Sequence, residues 1–417
     1  MPVQRLAAVS GIVIILLLAV LISSNRRAIA PKTVFWGLTL QLVVALMMLK
    51  LAAGRATIDA LGNAINWVLQ FSYDGSEFVF DRLGAPKSDK NPFVLAFQVL
   101  PNIVFASALI AILYHYGITQ FLTRQCARVI RWFIPASGAE SLNVAATIFI
   151  GQTEAPLTIK SYLPTMTRSE LMTVMTSGMA HVSGGMIAAY VAVGINAGQL
   201  LTAVLMTAPG SVLLAKMIVP EVETPTTSYI PSSSDLNGKG QQSANVLSAI
   251  VRGTNDGVRL ALGVGAMLMV FVALVALANG ALTLLAASVS PAGSRWLPAD
   301  VQSMLGVPFA PIAWMIGIPW HDCLKVGNLL GMRMVLNELV AFQHLEMVRS
   351  AIEPRSYSIA TFALCGFANL SSIGIQIGGI GALAPGRIDT LATLGVRAML
   401  AGTMANLMSA AFASLLL

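Results

Sequence analysis

The sequence predicts an all-α polytopic membrane protein, and three observations predict it. Of its 417 residues, 56% are hydrophobic and only 10% are charged, with a mean hydropathy of +0.77, more apolar than an ordinary soluble domain. Several apolar runs reach the roughly 17 to 25 residues that carry a helix across a bilayer. Polar, helix-breaking turns, above all Gly151-Gln152-Thr153-Glu154-Ala155-Pro156, interrupt apolar sequence where an ion is costly. The expected architecture is eight transmembrane helices, two re-entrant hairpins, interfacial helices and an inverted repeat.

Composition also excludes. A net charge of +7 suits basic cytoplasmic loops, and no basic tract interleaved with aromatics exists, so nucleic acid is not an expected partner. Cys126, Cys323 and Cys365 stand apart in apolar context, without the spacing of a zinc site or a disulfide framework, and no cofactor is expected. Leu6 to Ile22 imitates a signal peptide. It is followed by Asn25-Arg26-Arg27 rather than small cleavage-site residues, and so reads as the first span.

The second span runs from about Val34 to Leu51. Arg26, Arg27 and Lys32 between the two, against Arg5 ahead of the first, place the amino terminus outside the cytoplasmic membrane. Arg55 to Lys90 mixes aromatics with acids and suits the lipid interface. Pro92 to Tyr116 is the third span. From Gln120 to Trp132, Arg124, Arg128 and Arg131 fall on one side of an amphipathic helix. Two short helices follow, Ala139 to Ile150 and Ala155 to Leu163, joined at the turn that carries Glu154. Neither is long enough to span, so together they predict a re-entrant hairpin. Glu170 to Val193 is long enough, but His181-Val182-Ser183-Gly184-Gly185 interrupts it, and unwound backbone at membrane depth is tolerated only beside protein or a cavity. Gln199 to Val219 is the fifth span. Pro220 to Ser243 reads as a flexible cytoplasmic linker, Ala244 to Asn255 as interfacial, Gly257 to Ala278 as a span and Ala287 to Pro298 as an external segment. Leu305 to Ile318 is apolar but short. Asp322 to Leu336 and Leu339 to Val348 make a second hairpin around Asn337-Glu338. Tyr357 to Leu383 is broken at Phe367-Ala368-Asn369-Leu370-Ser371-Ser372, and Leu391 to Leu416 closes the chain.

The order of elements recurs. Glu154 and Glu338 hold the same place in each copy, as do the two interruptions, and counting spans starts the copies on opposite membrane faces. An inverted repeat with interrupted helices is the signature of secondary transporters, whose substrate and ion sit near the midplane at the repeat interface. Gln152, Thr153, Glu154, Asn337, Glu338, Asn369, Ser371 and Ser372 would converge there as donors and acceptors for a neutral, polyhydroxylated solute with amide-like edges. A cation at these turns, expected for an anionic solute, is absent. Phe367 would stack on a flat ring. The rival classes are an intramembrane enzyme, with His181 and Glu154 as base and acid, and a channel; no nucleophile-base or HExxH spacing supports the enzyme.

At these residues the sequence resembles bacterial members of the concentrative nucleoside transporter family. The likeness runs over nearly the whole chain. Its most specific pieces are Gly151-Gln152-Thr153-Glu154-Ala155-Pro156-Leu157, Gly331-x-Arg333-x-x-x-Asn337-Glu338-Leu339-Val340-Ala341-Phe342 and Gly366-Phe367-Ala368-Asn369-Leu370-Ser371-Ser372-Ile373. Arg333 and Leu339 replace the family's usual Lys and Phe. The resemblance implies a homotrimer in the lipid membrane whose protomers import nucleosides by elevator-like movement of a transport domain, residues 119–219 and 287–417, against a scaffold, residues 1–118 and 220–286. It implies Gln152, Thr153 and Glu154 on the nucleobase side, Glu338, Asn369 and Ser372 on the ribose hydroxyls, and Phe367 along the ring. Sodium-coupled members use an Asn four residues before the hairpin Gly and a Ser at the break. Here those positions hold Thr147 and His181. Imidazole nitrogen is a poor sodium ligand, whereas it titrates near neutral pH. The expectation is therefore proton coupling through His181 or Glu154. Sodium held by Thr147 and the carbonyls of Ile150 and Val182 is the alternative.

Overall fold

The computed structural model describes residues 2–86, 93–227, 245–289 and 301–417. The described residues are helical, with no strand among them, and six helices are long and apolar enough to cross a membrane. The first two are α1 (Pro2–Leu21) and α2 (Pro31–Leu49), the latter opened by a proline whose fixed φ suits a first turn. The mixed segment that follows is one long helix, α3 (Ala52–Phe80). A single turn, α4 (Leu95–Gln98), leads into α5 (Leu100–His115). In α6 (Ile118–Phe133) the buried face is Thr119, Thr123, Ala127 and Ile130, so the expected arginine stripe faces away from the protein.

Each repeat then builds a hairpin and a broken helix. In the first, α7 (Gly138–Thr147) leads to the Glu154 turn, and α8 (Arg168–Ala180) and α9 (Gly184–Val193) are separated by His181, Val182 and Ser183. Capping boxes open both α7, through Ser137 and Glu140, and α8, through Thr167 and Glu170. The returning arm of the hairpin is not the expected helix from Ala155 to Leu163. It is two 3-10 turns, Ala155–Ile159 and Leu163–Thr165, because Pro156 and Pro164 withdraw the amides that an α-helix needs. The long helix α10 (Ala197–Ile218) completes the repeat.

The expected interfacial segment and sixth span are a single helix, α11 (Val246–Val289). Gly253 and Gly257 seat it on α5: a Cβ at 253 would stand 2.6 Å from that of Ala111, and one at 257 would stand 2.7 Å from Cα of Val104. This is the small-xxx-small contact by which membrane helices approach closely. After α12 (Val301–Met315), the second hairpin is α13 (Trp320–Val335) and α14 (Glu338–Met347). Then come α15 (Pro354–Leu364) and α16 (Leu370–Leu383), parted at residues 365–369, and the closing helix α17 (Ile388–Leu416). The expected linker beyond residue 227 and most of the expected external segment lie outside the described residues.

The core sits around α10 and α17. Of their apolar windows 89% and 78% are buried, against 12% for α11. The helices α8, α15, α16 and α1 pack on α17, and α2, α3 and α8 on α10, while α5 and α11 pair with each other. Both interruptions therefore lie against one central helix, α17.

Candidate functional site

The two hairpin tips and the two interruptions open onto one cavity of about 820 Å³. Gln152, Thr153 and Glu154 line it from the first tip, Asn337 and Glu338 from the second, Ser183 from the first break, and Phe367, Asn369, Ser371 and Ser372 from the second. Every expected substrate-side residue thus reaches a common space, and Glu154 and Glu338 both line it.

The second tip is held from both repeats. Glu338 is 4% exposed. Its Oε1 accepts from the Tyr190 hydroxyl at 2.9 Å, and its Oε2 accepts from Asn369 Nδ2 at 3.2 Å. Arg333, five residues earlier on α13, acts on Glu338 electrostatically but spends its hydrogen bonds elsewhere. Asn337 and Asn369 each cap the helix they precede, on the amides of Val340 and Ser372. Capping accounts for Asn369 Oδ1 only, since its amide nitrogen is aimed at Glu338.

The first tip is braced from the opposite repeat. Gln152 Nε2 donates to Ser372 Oγ at 3.4 Å, and Gln152 Oε1 accepts from Gln376 Nε2 at 3.1 Å. That same nitrogen of Gln376 reaches the Met175 carbonyl of α8, also at 3.1 Å. Glu154 is different. Its carboxylate meets the Gly151 amide within its own turn and feels the charges of Asp256 and Arg252 across the cavity.

The residues expected at the coupling-ion position divide. Ile150 lines the cavity, whereas Thr147, His181 and Val182 are buried behind it. The Thr147 hydroxyl donates to the Val144 carbonyl at 2.8 Å and turns its oxygen to His181 Nδ1 at 3.2 Å. Nδ1 lies 2.7 Å from the Ser177 carbonyl, an acceptor only, so this nitrogen carries the hydrogen and donates. An N–H donor aimed at Thr147 is the opposite of what a cation needs. The buried ring also meets the Val204 backbone of α10.

Several cavity residues escaped sequence reasoning. Arg252, Asp256 and Arg259 line it from α11, the first two as an i,i+4 pair with Nε and Oδ2 4.0 Å apart. The cations missing from the hairpin turns are thus supplied by a helix facing them. Charges one turn apart inside apolar sequence were the available signal. Tyr190, Gln376 and Asn406, buried behind the cavity lining, carry no comparable mark, because their partners lie far away in the chain.

Known proteins of similar shape and sequence exist. Family models described as "Na+ dependent nucleoside transporter N-terminus", "Nucleoside recognition" and "Na+ dependent nucleoside transporter C-terminus" match residues 10–83, 96–196 and 199–414. The chain is 40% identical over 405 residues to the uncharacterized transporter YutK of Bacillus subtilis, covering 97% of this chain and 98% of that one. It is 37% identical over 421 residues to the nucleoside permease NupC of Helicobacter pylori, covering 99% and 98%. With sodium/nucleoside cotransporter 1 of Rattus norvegicus the identity is 35% over 428 residues, 99% of this chain and 64% of the relative. Among solved structures, CNTnw in an inward-facing substrate-bound state superposes with a TM-score of 0.90 at 35% identity, covering 99% and 98% of the two chains. A doubly substituted CNTnw in an outward-facing state gives 0.90 at 36% identity, covering 99% and 97%.

Proposed function

This chain belongs to the concentrative nucleoside transporter family, and on that premise we propose that it is a proton-coupled symporter importing nucleosides across a bacterial cytoplasmic membrane. It is a transporter by family, not an enzyme. The observation that carries the substrate reading is Glu338: a buried carboxylate that lines the cavity, oriented by Tyr190 and Asn369, with acceptor capacity left after those two bonds. Two vicinal ribose hydroxyls are the donors that such an acceptor takes. Glu338, Asn369 and Ser372 hold the ribose in this proposal, Gln152, Thr153 and Glu154 the nucleobase edge, and Phe367 the ring face.

Proton coupling is supported by the closed ion position. With His181 Nδ1–H pointed at Thr147 and the Ser177 carbonyl, one of the expected sodium ligands, Thr147, answers an internal donor instead. Of the two expected proton carriers, Glu154 is the better placed, because it lines the cavity while His181 is buried behind it. A bare carboxylate at membrane depth costs several kcal/mol, and a proton removes that cost for the passage. The transport domain, residues 119–219 and 287–417, moves as an elevator against a scaffold, residues 1–118 and 220–286, in which α5 and α11 form a tight pair. The nearly bare apolar face of α11 supports a homotrimer embedded in lipid. The amino terminus lies outside.

Uptake of labelled uridine into cells or proteoliposomes tests the proposal, with sodium replaced by choline and the outer pH varied. Accumulation against a gradient, stimulated by external acid and indifferent to sodium, is expected. Strict sodium dependence overturns the coupling, in favour of an ion held by Thr147 and the carbonyls of Ile150 and Val182. Non-saturating flux without accumulation identifies a channel.

A further inference from the structure

Breaking two helices in the middle of a membrane protein exposes carbonyls that water cannot reach, and each must find a donor. At the first break the Ser177 carbonyl takes His181 Nδ1, and the Ala180 carbonyl accepts from Asn406 Nδ2 at 2.8 Å. At the second break the demand is heavier. The Leu364 carbonyl accepts from the Gly366 amide, and the Phe367 carbonyl from the Asn369 amide, both at 2.9 Å, so the chain turns tightly twice. Three more carbonyls in this stretch are met by two side chains. Arg333 donates through Nη1 to Ala363 at 2.7 Å and through Nε to Gly366 at 3.2 Å, and Asn406 Nδ2 donates to Cys365 at 2.8 Å. The two side chains join directly, Arg333 Nη2 to Asn406 Oδ1. Both are buried, at 1% and 0% exposure.

We propose that Arg333 and Asn406 are positioning residues: one buried guanidinium–carboxamide clamp that fixes both interruptions at once and thereby sets the ribose-binding groups. Asn406 is the shared element, since one amide nitrogen holds the last carbonyl of α8 and the first carbonyl of the second break. Arg333 supplies a tethered cation at the carbonyl end of α15, where the helix dipole is negative. By holding the Gly366 carbonyl it aims the next residues, Phe367 and Asn369, into the cavity. Gly366 admits the clamp because it lacks a Cβ, which would overlap Asn406 Oδ1 and lie 2.7 Å from the Ala180 carbonyl. When Glu154 and Glu338 are aligned, His181 stands opposite Cys365. The two breaks are therefore capped differently, the first partly by its own imidazole and the second by a cation from the neighbouring hairpin.

The clamp's effect on substrate rests on the nucleoside reading, whereas its effect on the breaks does not, and the experiment keeps the two apart. Purified Asn406→Ser, Asn406→Leu, Arg333→Lys and Arg333→Gln are compared with Ser409→Ala, which removes a buried hydroxyl from the same helix away from the cavity. Hydrogen–deuterium exchange without substrate reads the breaks. Both Asn406 variants should raise exchange about tenfold or more in peptides over 178–186 and 364–372 together, Arg333→Gln chiefly in the second, and Ser409→Ala in neither. Proteoliposome uptake reads the consequence. Asn406→Ser and Arg333→Gln should raise the KM for uridine about tenfold and narrow its preference over 2′,3′-dideoxyuridine, with Arg333→Lys recovering part of both. Should Asn406→Leu fail to fold, Asn406→Ser, which leaves space and a hydroxyl, carries the test. Unchanged exchange at the first break in both folded Asn406 variants overturns the shared clamp. Lowered Tm with an unchanged KM and preference makes it structural support only. Raised exchange in a protein whose wild type takes up no nucleoside upholds the clamp and removes the nucleoside reading instead.

Discussion

Glu338→Gln is the substitution that presses hardest on the proposed site. The change conserves volume, so its effect is electronic. A carboxylate offers about four acceptor positions. Tyr190 and Asn369 occupy one on each oxygen, which leaves two for the ribose hydroxyls. In glutamine one of those oxygens becomes an NH2 group that faces a donor, either Tyr190 or Asn369. The substrate thus loses one charge-assisted bond, and the bond that remains is to a neutral oxygen. With charge-assisted bonds worth about 1.5–3 kcal/mol and neutral ones about half that, the loss is roughly 2–4 kcal/mol. That corresponds to a thirtyfold to thousandfold weaker affinity. Competition against labelled uridine uptake, with isothermal titration of purified protein beside it, measures this. The wild type should prefer uridine over 2′,3′-dideoxyuridine by a similar factor, and the variant should lose most of that preference. If Glu338→Gln binds uridine as before, or weakens uridine and the dideoxy compound equally, the carboxylate does not hold the ribose.

Three further substitutions follow from the same geometry. Thr147→Asn combined with His181→Ser replaces the internal N–H donor with oxygen ligands and should make uridine uptake sodium-stimulated, read by exchanging choline for sodium at fixed pH. Gly178→Ala places a Cβ over Gln376 Nε2 and 3.1 Å from Gln152 Cβ. Displacing one or two neutral hydrogen bonds costs about 1–2 kcal/mol, so the KM should rise about five- to thirtyfold for uridine and adenosine alike. Tyr190→Phe removes one of the two protein donors to Glu338 without changing the packing against Phe342. Its KM should rise about threefold to tenfold, with Tm lowered by a few degrees in a thermal melt.

The parts of this site legible in the sequence are those that break a local rule. Glu154 beside Gly151 and Pro156, Asn337-Glu338 between two short helices, and Asn369 with its serines each put polarity or a helix breaker into apolar sequence, and all of them reach the cavity. The second arm of the first hairpin is not legible as 3-10 turns, because periodicity counts apolar residues and ignores how many amides two prolines remove. α11 divides in two in the sequence because Arg252, Asp256 and Arg259 resemble the charged edge of a span, whereas they line the cavity. Tyr190, Gln376 and Asn406 violate nothing locally. Their meaning lies in partners 148, 224 and 226 residues away in the chain, and only the crossing of the two repeats creates it.

That crossing also bears on how the protein moves. Neither repeat completes its own polar groups: Gln152 of the first is held by Ser372 and Gln376 of the second, and Glu338 of the second by Tyr190 of the first. Gln376 on Met175 and Asn406 on Ala180 add two more ties behind the cavity. Parting the repeats, as a rocking mechanism requires, would orphan donors and acceptors on both sides of these five bonds. At roughly 1–3 kcal/mol for each buried group left unpaired, that is on the order of 5–15 kcal/mol. Sliding both repeats together past α5 and α11 breaks none of the five, and it carries Glu154 away from Arg252 and Asp256, the charges that face it across the cavity. The hydrogen-bond pattern therefore favours a single moving body. It also predicts where the moving body ends: a disulfide joining α8 to α17, which pack together behind the cavity, should leave uridine uptake intact, and one joining α9 to α11 should abolish it until it is reduced.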